Sequence, residues 1–358
     1  MKKIHQNIII GSGFSAFALN FFLKKEFLVI TTKTSLISNF RKRKNLTKYL
    51  KFFSQKFSSL GKFDYNLVNS NLHDTLIHGG NTNFWGGICN IGNIKNLLKF
   101  FRKTISFKKI SINETGSYSD NKYLYQMQKI NSQDATIFNC SRQFKRKIYG
   151  HLLRIELINK NIIKLQVQRK KKETFLCRNL ILAINTIQLI ELLINSGIIA
   201  DKDIVSLDEH KFKTKVSLFK NLKIKKNKAV VLSYSVSGII KHALGLQKNF
   251  NKYLFNLFNL IPFYYHQIFY KKKIKGVFQV QKKTKNIEEI SKITAQNFGN
   301  SIHYHNMKIN KSDVGSKIKF FNKNIYGISS PFIKEATPGP ISNFLIKQSF
   351  NIAKKLNK

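Results

Sequence analysis

Two histidines two residues apart, His303 and His305 in HYHNMKI (303–309), and two glycine-rich runs, IIIGSGFSA (8–16) and HGGNTNFWGGICN (78–90), have residue types and spacing suited to chemistry. Imidazole titrates near neutral pH and so serves as a proton acceptor or donor. If 303–309 is extended, His303 and His305 share one face, because side chains two apart on a strand point the same way. An H-x-H pair also begins a metal site, but no Asp, Glu or His at nearby spacing completes one. In the first glycine run, Gly11, Gly13 and Ala16 fit G-x-G-x-x-G/A. Gly11 permits a tight turn, Gly13 lets backbone N–H groups approach a pyrophosphate, and Ala16 lets the following helix pack close to the preceding strand. On its own this pattern leaves NAD, NADP and FAD open. In the second run, Gly79, Gly80, Gly86 and Gly87 would let backbone pass against a planar ligand. Asn81, Thr82 and Asn83 offer donors and acceptors for phosphate or ring edges, and Trp85 is the sole tryptophan.

These residues need elements to hold them. An apolar run from Asn7 to Ile10 predicts a strand, Phe14 to Leu23 a helix and Phe27 to Ile30 a second strand, which together make a β-turn-α-β unit. An acidic residue is expected at the end of that second strand to bind ribose hydroxyls. Thr31 or Thr32 stands there instead, and its hydroxyl is a weaker ribose partner than a carboxylate. From Ile148 to Asn185 the runs HLLRIELI, NIIKLQVQR, ETFLCRN and LILAIN, separated by polar turns, predict a hairpin or three-stranded element followed by a buried strand.

Several segments, taken in order, resemble the glucose-methanol-choline (GMC) family of FAD-dependent oxidoreductases. The N-terminal turn is followed by the WGG loop at 85–87, similar to the family's GGSS-x-x-WGG. RNLILAINTIQLIELLINSG (178–197) is similar to the family's VVLAAGAIxTPRLLLxSG, with Asn185 where a glycine is usual, and LDEH (207–210) is similar to a short acidic-His element. HYHNMKI resembles H-x-G-x-T-R-M, with His303 on the family's histidine and Lys308 on its arginine. NIYGISSPF (324–332) is similar to NLYVAGSSVF, and TPGPISNFLIKQSFNIAKKL (337–356) to the closing helix.

The resemblance implies an α/β fold: a Rossmann-like FAD-binding domain, with helices on both faces of a mixed parallel sheet, and a second α+β substrate domain. It divides the chain into 1–210 (first part of the FAD domain), 211–294 (substrate or cap domain) and 295–358 (return to the FAD domain). FAD would be held by Gly11, Gly13, Ala16, Thr31, Gly79, Gly80, Asn81, Thr82, Asn83, Ser329 and Ser330. His303 would act as base on the CH–OH group of a polar alcohol or sugar-like small molecule, with His305 beside it. An electron acceptor, which the sequence does not name, would complete turnover. The family usually places a second His or Asn before the proline of its last motif, where this chain has Gly339, or Thr337 if Pro338 is the matching proline. Thr31, Asn185 and Gly339 therefore leave open a relative that keeps the fold and has lost turnover.

Composition bounds the rest. The formal charge is +46, from 63 Lys and Arg against 17 Asp and Glu. Those cations are scattered from Lys2 to Lys358 rather than gathered in a stripe, which argues against a nucleic-acid partner. The residue run Tyr253 to Tyr270 carries no formal charge and lies between Lys252 and Lys271, a pattern that suits peripheral membrane contact by an interfacial helix or a buried segment. A basic protein bound to anionic membrane or nucleic acid is thus the reading from a different class. Cys89, Cys140 and Cys177 lie far apart, form neither a disulfide framework nor a zinc site, and fit a reducing, cytoplasmic compartment. The chain contains no G-x-S-x-G, P-loop or C-x-x-C motif.

Overall fold

The computed structural model describes residues 3–32, 88–90, 105–109, 115–118, 124–130, 133–134, 140–219, 229–235, 264–282, 284, 289–290, 293, 304–334 and 341–358. In chain order its strands are β1 (Ile4–Ile10), β2 (Leu28–Thr31), β3 (Ile88–Asn90), β4 (Ile105–Lys109), β5 (Thr115–Tyr118), β6 (Leu124–Ile130), β7 (Gln133–Asp134), β8 (Lys147–Tyr149) and β9 (His151–Asn159). There follow β10 (Ile162–Gln168), β11 (Lys172–Leu182), β12 (Ile204–Ser217), β13 (Ala229–Ser235), β14 (Tyr264–Gln279), β15 (His305–Ile309), β16 (Ser312–Asp313) and β17 (Ile325–Gly327). The α-helices among the described residues are α1 (Phe14–Phe22), α2 (Thr186–Asn195), α3 (Val314–Phe321) and α4 (Ser342–Leu356).

The first sheet has five parallel strands in the order β8-β2-β1-β11-β17. The hairpin β9-β10 pairs antiparallel with the first half of β11. The two short runs ETFLCRN and LIL are therefore one strand: residues 172–177 pair with β10, and 176–182 pair with β1. The run appears broken in the sequence because its first half is half-buried and its second, from Leu180 to Leu182, is buried on both faces.

Alternation along these strands feeds two cores. Ile9, Val29, Ile181 and Ala183 face α1 and α4. Ile8, Ile10, Ile30, Leu180 and Leu182 face the opposite way, onto the β9-β10 hairpin (Leu152, Ile155, Ile163, Leu165, Val167), α2 and α3. Such two-sided burial is why the run Ile8-Ile9-Ile10 occurs where a half-exposed strand would alternate. Helix α1 buries Phe14, Ala16, Phe17, Ala18, Leu19 and Phe22 because it lies between the sheet and α4. Helix α4 answers with a stripe at helical spacing, Leu345, Ile346, Ser349, Ala353 and Leu356. The Ser349 hydroxyl donates to the Ser15 carbonyl (3.0 Å), and the Asn357 side-chain amide donates to the Phe22 carbonyl (2.8 Å).

The second sheet is antiparallel, in the order β16-β15-β12-β14-β13-β5. Strand β12 runs unbroken through residue 210, and β15 pairs with it from the C-terminal part of the chain. A third small sheet has the order β3-β6-β4, with β7 on β6. Of the uncharged run Tyr253 to Tyr270, residues 264–270 form the start of strand β14, not a helix, and the remainder lies outside the described residues. No helix among the described residues is long and apolar enough to cross a membrane.

Candidate cofactor and active site

Gly11 adopts φ +98°, and a Cβ placed on it would stand 2.4 Å from the Ala183 carbonyl oxygen. Only glycine fits both conditions. The turn is also fixed by backbone hydrogen bonds: Gly11 N–H donates to Ile30 O and Ala183 N–H to Ile10 O, each at 2.8 Å. Gly13 is the N-cap of α1, and its carbonyl accepts from Phe17 N–H at 3.0 Å. No side chain caps this helix and no acidic residue occupies its first turn. The positive end of its dipole therefore lies at the turn with no acidic side chain of the helix to offset it. Ala16 is fully buried, as close packing of helix on strand requires.

Thr31 is buried at the end of β2, and its hydroxyl lies 2.6 Å from that of Ser12, the residue between the two glycines. The threonine that replaces the expected acid thus closes onto the turn itself. Gly150 N–H donates to the Thr31 carbonyl at 2.8 Å, and a Cβ on Gly150 would meet Val167 at 2.5 Å, so glycine lets β8 pass straight into β9. Nothing in the sequence singled out Ser12 or Gly150.

The same edge continues to β17. Ile328 N–H donates to Leu182 O at 3.0 Å, which sets Ser329 beside the ends of β11 and β1. Ser330 opens a 3-10 turn, Ser330–Phe332. Ser329 Oγ and Asn343 Oδ1, the latter in the uncapped first turn of α4, are buried and have no hydrogen-bond partner among the described residues. Buried polar atoms left in this state are costly, so a partner is expected for each. Asn185, where the resemblance leads one to expect glycine, has a structural use: its side chain accepts from Gln188 N–H at 2.9 Å and caps α2.

The histidine segment is tied to this edge as well. Thr186, just beyond β11, donates its hydroxyl to the Tyr304 carbonyl at 3.0 Å in a buried hydrogen bond. His305 follows on β15, fully buried, with Asp208 of β12 as its register partner. Asn306 takes φ +50° and donates to the Asp208 carboxylate. His303, Gly79, Gly80, Asn81, Thr82, Asn83 and Gly339 lie outside the described residues. Of the remaining expected residues, Gly11, Gly13, Ala16, Thr31, Ser329 and Ser330 come to one edge of the first sheet. Asp208 belongs to the LDEH element read in the sequence, whereas the sequence did not single out Thr186 and Asn343.

Burial pushes the Cys177 thiol up to about 12, which removes it as a nucleophile. No group of three metal-ligating side chains occurs among the described residues. A cavity of about 340 Å³ beside β17 is lined by Met307, Val314, Ile318, Phe332 and Gln348, among others, and by none of the sequence-predicted site residues.

Neither a protein-family model nor a curated protein sequence matches the chain. Among solved structures it is similar to pyridoxine 4-oxidase from Mesorbium loti, with TM-score 0.51 and 9% identity over 98% of this chain and 99% of that one. Lower similarities include a flavoprotein/dehydrogenase from Cytophaga hutchinsonii (TM-score 0.39, 8% identity, 98% and 77% covered). The flavin-dependent brominase Bmp2 gives TM-score 0.39 and 11% identity, with 99% and 79% covered. The chain has an α/β Rossmann-like fold, and it shares that fold along nearly its whole length with the pyridoxine 4-oxidase.

Proposed function

We propose that this protein is an FAD-dependent oxidoreductase acting on the CH–OH group of a polar alcohol or sugar-like molecule, a short divergent member of the GMC family. One observation carries the reading: Thr31, Gly11, Ala183 and Ser329 stand at the same ends of four neighbouring parallel strands. Their carboxyl edge is where open α/β sheets take their ligands. The fold similarity to an oxidase named for pyridoxine agrees with it.

The residues fit the cofactor. The turn at Gly11 and Gly13 and the uncapped start of α1 would receive the pyrophosphate, Thr31 the ribose side, and Ser329, Ser330 and the loop Gly79, Gly80, Asn81, Thr82, Asn83 the flavin side. When bound, FAD supplies an acceptor for the two electrons and the hydrogen of the substrate C–H. His303 takes the hydroxyl proton, so that the substrate leaves as a carbonyl compound. Thr186 fixes the backbone next to that histidine through Tyr304, and His305 beside Asp208 positions the segment from within the protein.

Purified protein is expected to be yellow, with flavin absorption near about 450 nm. Bound flavin should bleach when an alcohol from a panel is added anaerobically, and His303→Ala should abolish the bleaching. A spectrum without flavin bands after reconstitution with FAD would sink the proposal. The complete burial of His305 favours a second reading, a non-catalytic relative that keeps flavin as structure. Flavin that binds yet is reduced by no alcohol would decide for it.

A further inference from the structure

The end of β12 departs from the usual pattern of buried apolar residues. Val216, Leu218 and Phe219 are 56%, 56% and 74% exposed, three large apolar side chains within four residues, and Lys215 beside them is exposed too. Isolated surface hydrophobics need no explanation, but a contiguous cluster does. This one is built, since the Ser217 hydroxyl donates to the Phe219 carbonyl (2.8 Å). His266 Nε2, on the adjacent strand, lies 3.0 Å from that carbonyl and 2.9 Å from the Ser217 hydroxyl. His266 is itself fully buried and stacked on Tyr264. Two polar side chains, Ser217 and His266, thus hold the backbone of Phe219 while its ring stays in solvent. Holding this strand end in advance removes the ordering cost that a flexible apolar loop would meet on binding.

From this geometry we infer that the strand end Lys215–Phe219 is a docking finger for the surface of an anionic lipid bilayer. Charge selects this occupant. A chain with net charge +46 is drawn to anionic headgroups, and the finger then places Val216, Leu218 and Phe219 at the acyl boundary. Electrostatic attraction alone would release in salt, whereas inserted apolar side chains resist it. Tyr264, where the described part of the uncharged run begins, is the register partner of Ser217.

The test is cosedimentation of the full chain with large unilamellar vesicles of phosphatidylcholine, alone or with phosphatidylserine, at low and high salt. Wild type is expected to bind the anionic vesicles and to retain part of that binding at high salt. Leu218→Ser with Phe219→Ser, which leaves the charge unchanged, should lower the partition coefficient by about tenfold or more and abolish the salt-resistant part. Phe320→Ser, which removes a 93% exposed ring on α3, should bind as wild type. A second measurement does not depend on the double variant folding: Phe219→Trp should shift its emission to the blue on adding vesicles, and Phe320→Trp should not. Three results overturn the inference: no binding by wild type, equal binding by the double variant with complete release in salt, or a lipid-independent dimer of wild type that the double variant disrupts. None of these readouts involves flavin, so the finger and the cofactor stand or fall separately.

Discussion

Replacing Gly11 by Ala tests the geometry on which the site rests, and Gly197 provides its internal control. Both glycines have positive φ, +98° and +70°. An alanine at either position bears the conformational penalty of a left-handed backbone, about 1–2 kcal/mol. Only Gly11 adds a collision, since its Cβ would lie 2.4 Å from Ala183 O and 2.9 Å from Ala183 C, whereas nothing lies within 4 Å of a Cβ at Gly197. The obstacle is backbone held in the sheet, where Ala183 N–H is bonded to Ile10 O, so it cannot rotate away as a side-chain tip would. Urea denaturation should therefore give Gly197→Ala a loss of about 1–2 kcal/mol and Gly11→Ala a loss of about 3 kcal/mol or more. In the same preparations Gly11→Ala should also lose bound flavin while Gly197→Ala keeps it. Equal losses for the two variants, or a Gly11→Ala protein as stable as wild type, would refute the placement of the turn against β11.

Asn185→Ala should cost about 1 kcal/mol in the same assay and Asn185→Asp much less, since a carboxylate also caps α2. Gly327→Ala puts a methyl 2.2 Å from the Phe332 ring, and should destabilise the protein unless Phe332→Ala is combined with it, a non-additivity that a double-mutant cycle would read. Thr186→Val should slow flavin reduction by substrate while flavin content stays unchanged, because the hydroxyl acts only on the Tyr304 backbone. His266 titrates below its ordinary 6.5, first because it is buried and further because of Lys215, while its bond to the Phe219 carbonyl acts the other way. The unfolded chain therefore takes up the proton more readily, so stability is present above pH 6.5 and falls as the pH drops below it. His266→Gln should flatten that acid limb in denaturation curves measured across pH, and an unchanged limb would assign it elsewhere.

The first unit, β1-α1-β2, was legible because its signals are local: a two-sided apolar run, a glycine whose φ only glycine accepts, and a small residue at the helix contact. The β9-β10-β11 element was legible in kind, but its last strand read as two pieces because burial changes midway along it. Asn185 read as a missing glycine, since a cap and a turn residue occupy the same place in a pattern and only the bond to Gln188 tells them apart. Pairings between distant segments were not legible. Strand β5 joins β13 across more than a hundred residues, and Asp208 faces His305 across a bulge in β12 and β15. The Ser12–Thr31 contact is of this kind as well, because it depends on the register of β1 on β2 and not on either residue's type.

The packing of α4 on α1 also constrains how the chain is made. Ser15 and Ser349, bonded in the folded protein, are 334 residues apart. At ribosomal rates of about 5–20 residues per second, the partner of α1 emerges tens of seconds after α1 itself. Through that interval Phe14, Phe17, Leu19 and Phe22 have no α4 to cover them, and the β1-α1-β2 unit lacks β11 and β17 along its open edge. The β1-α1-β2 unit is thus made before the strands and the helix that complete its packing.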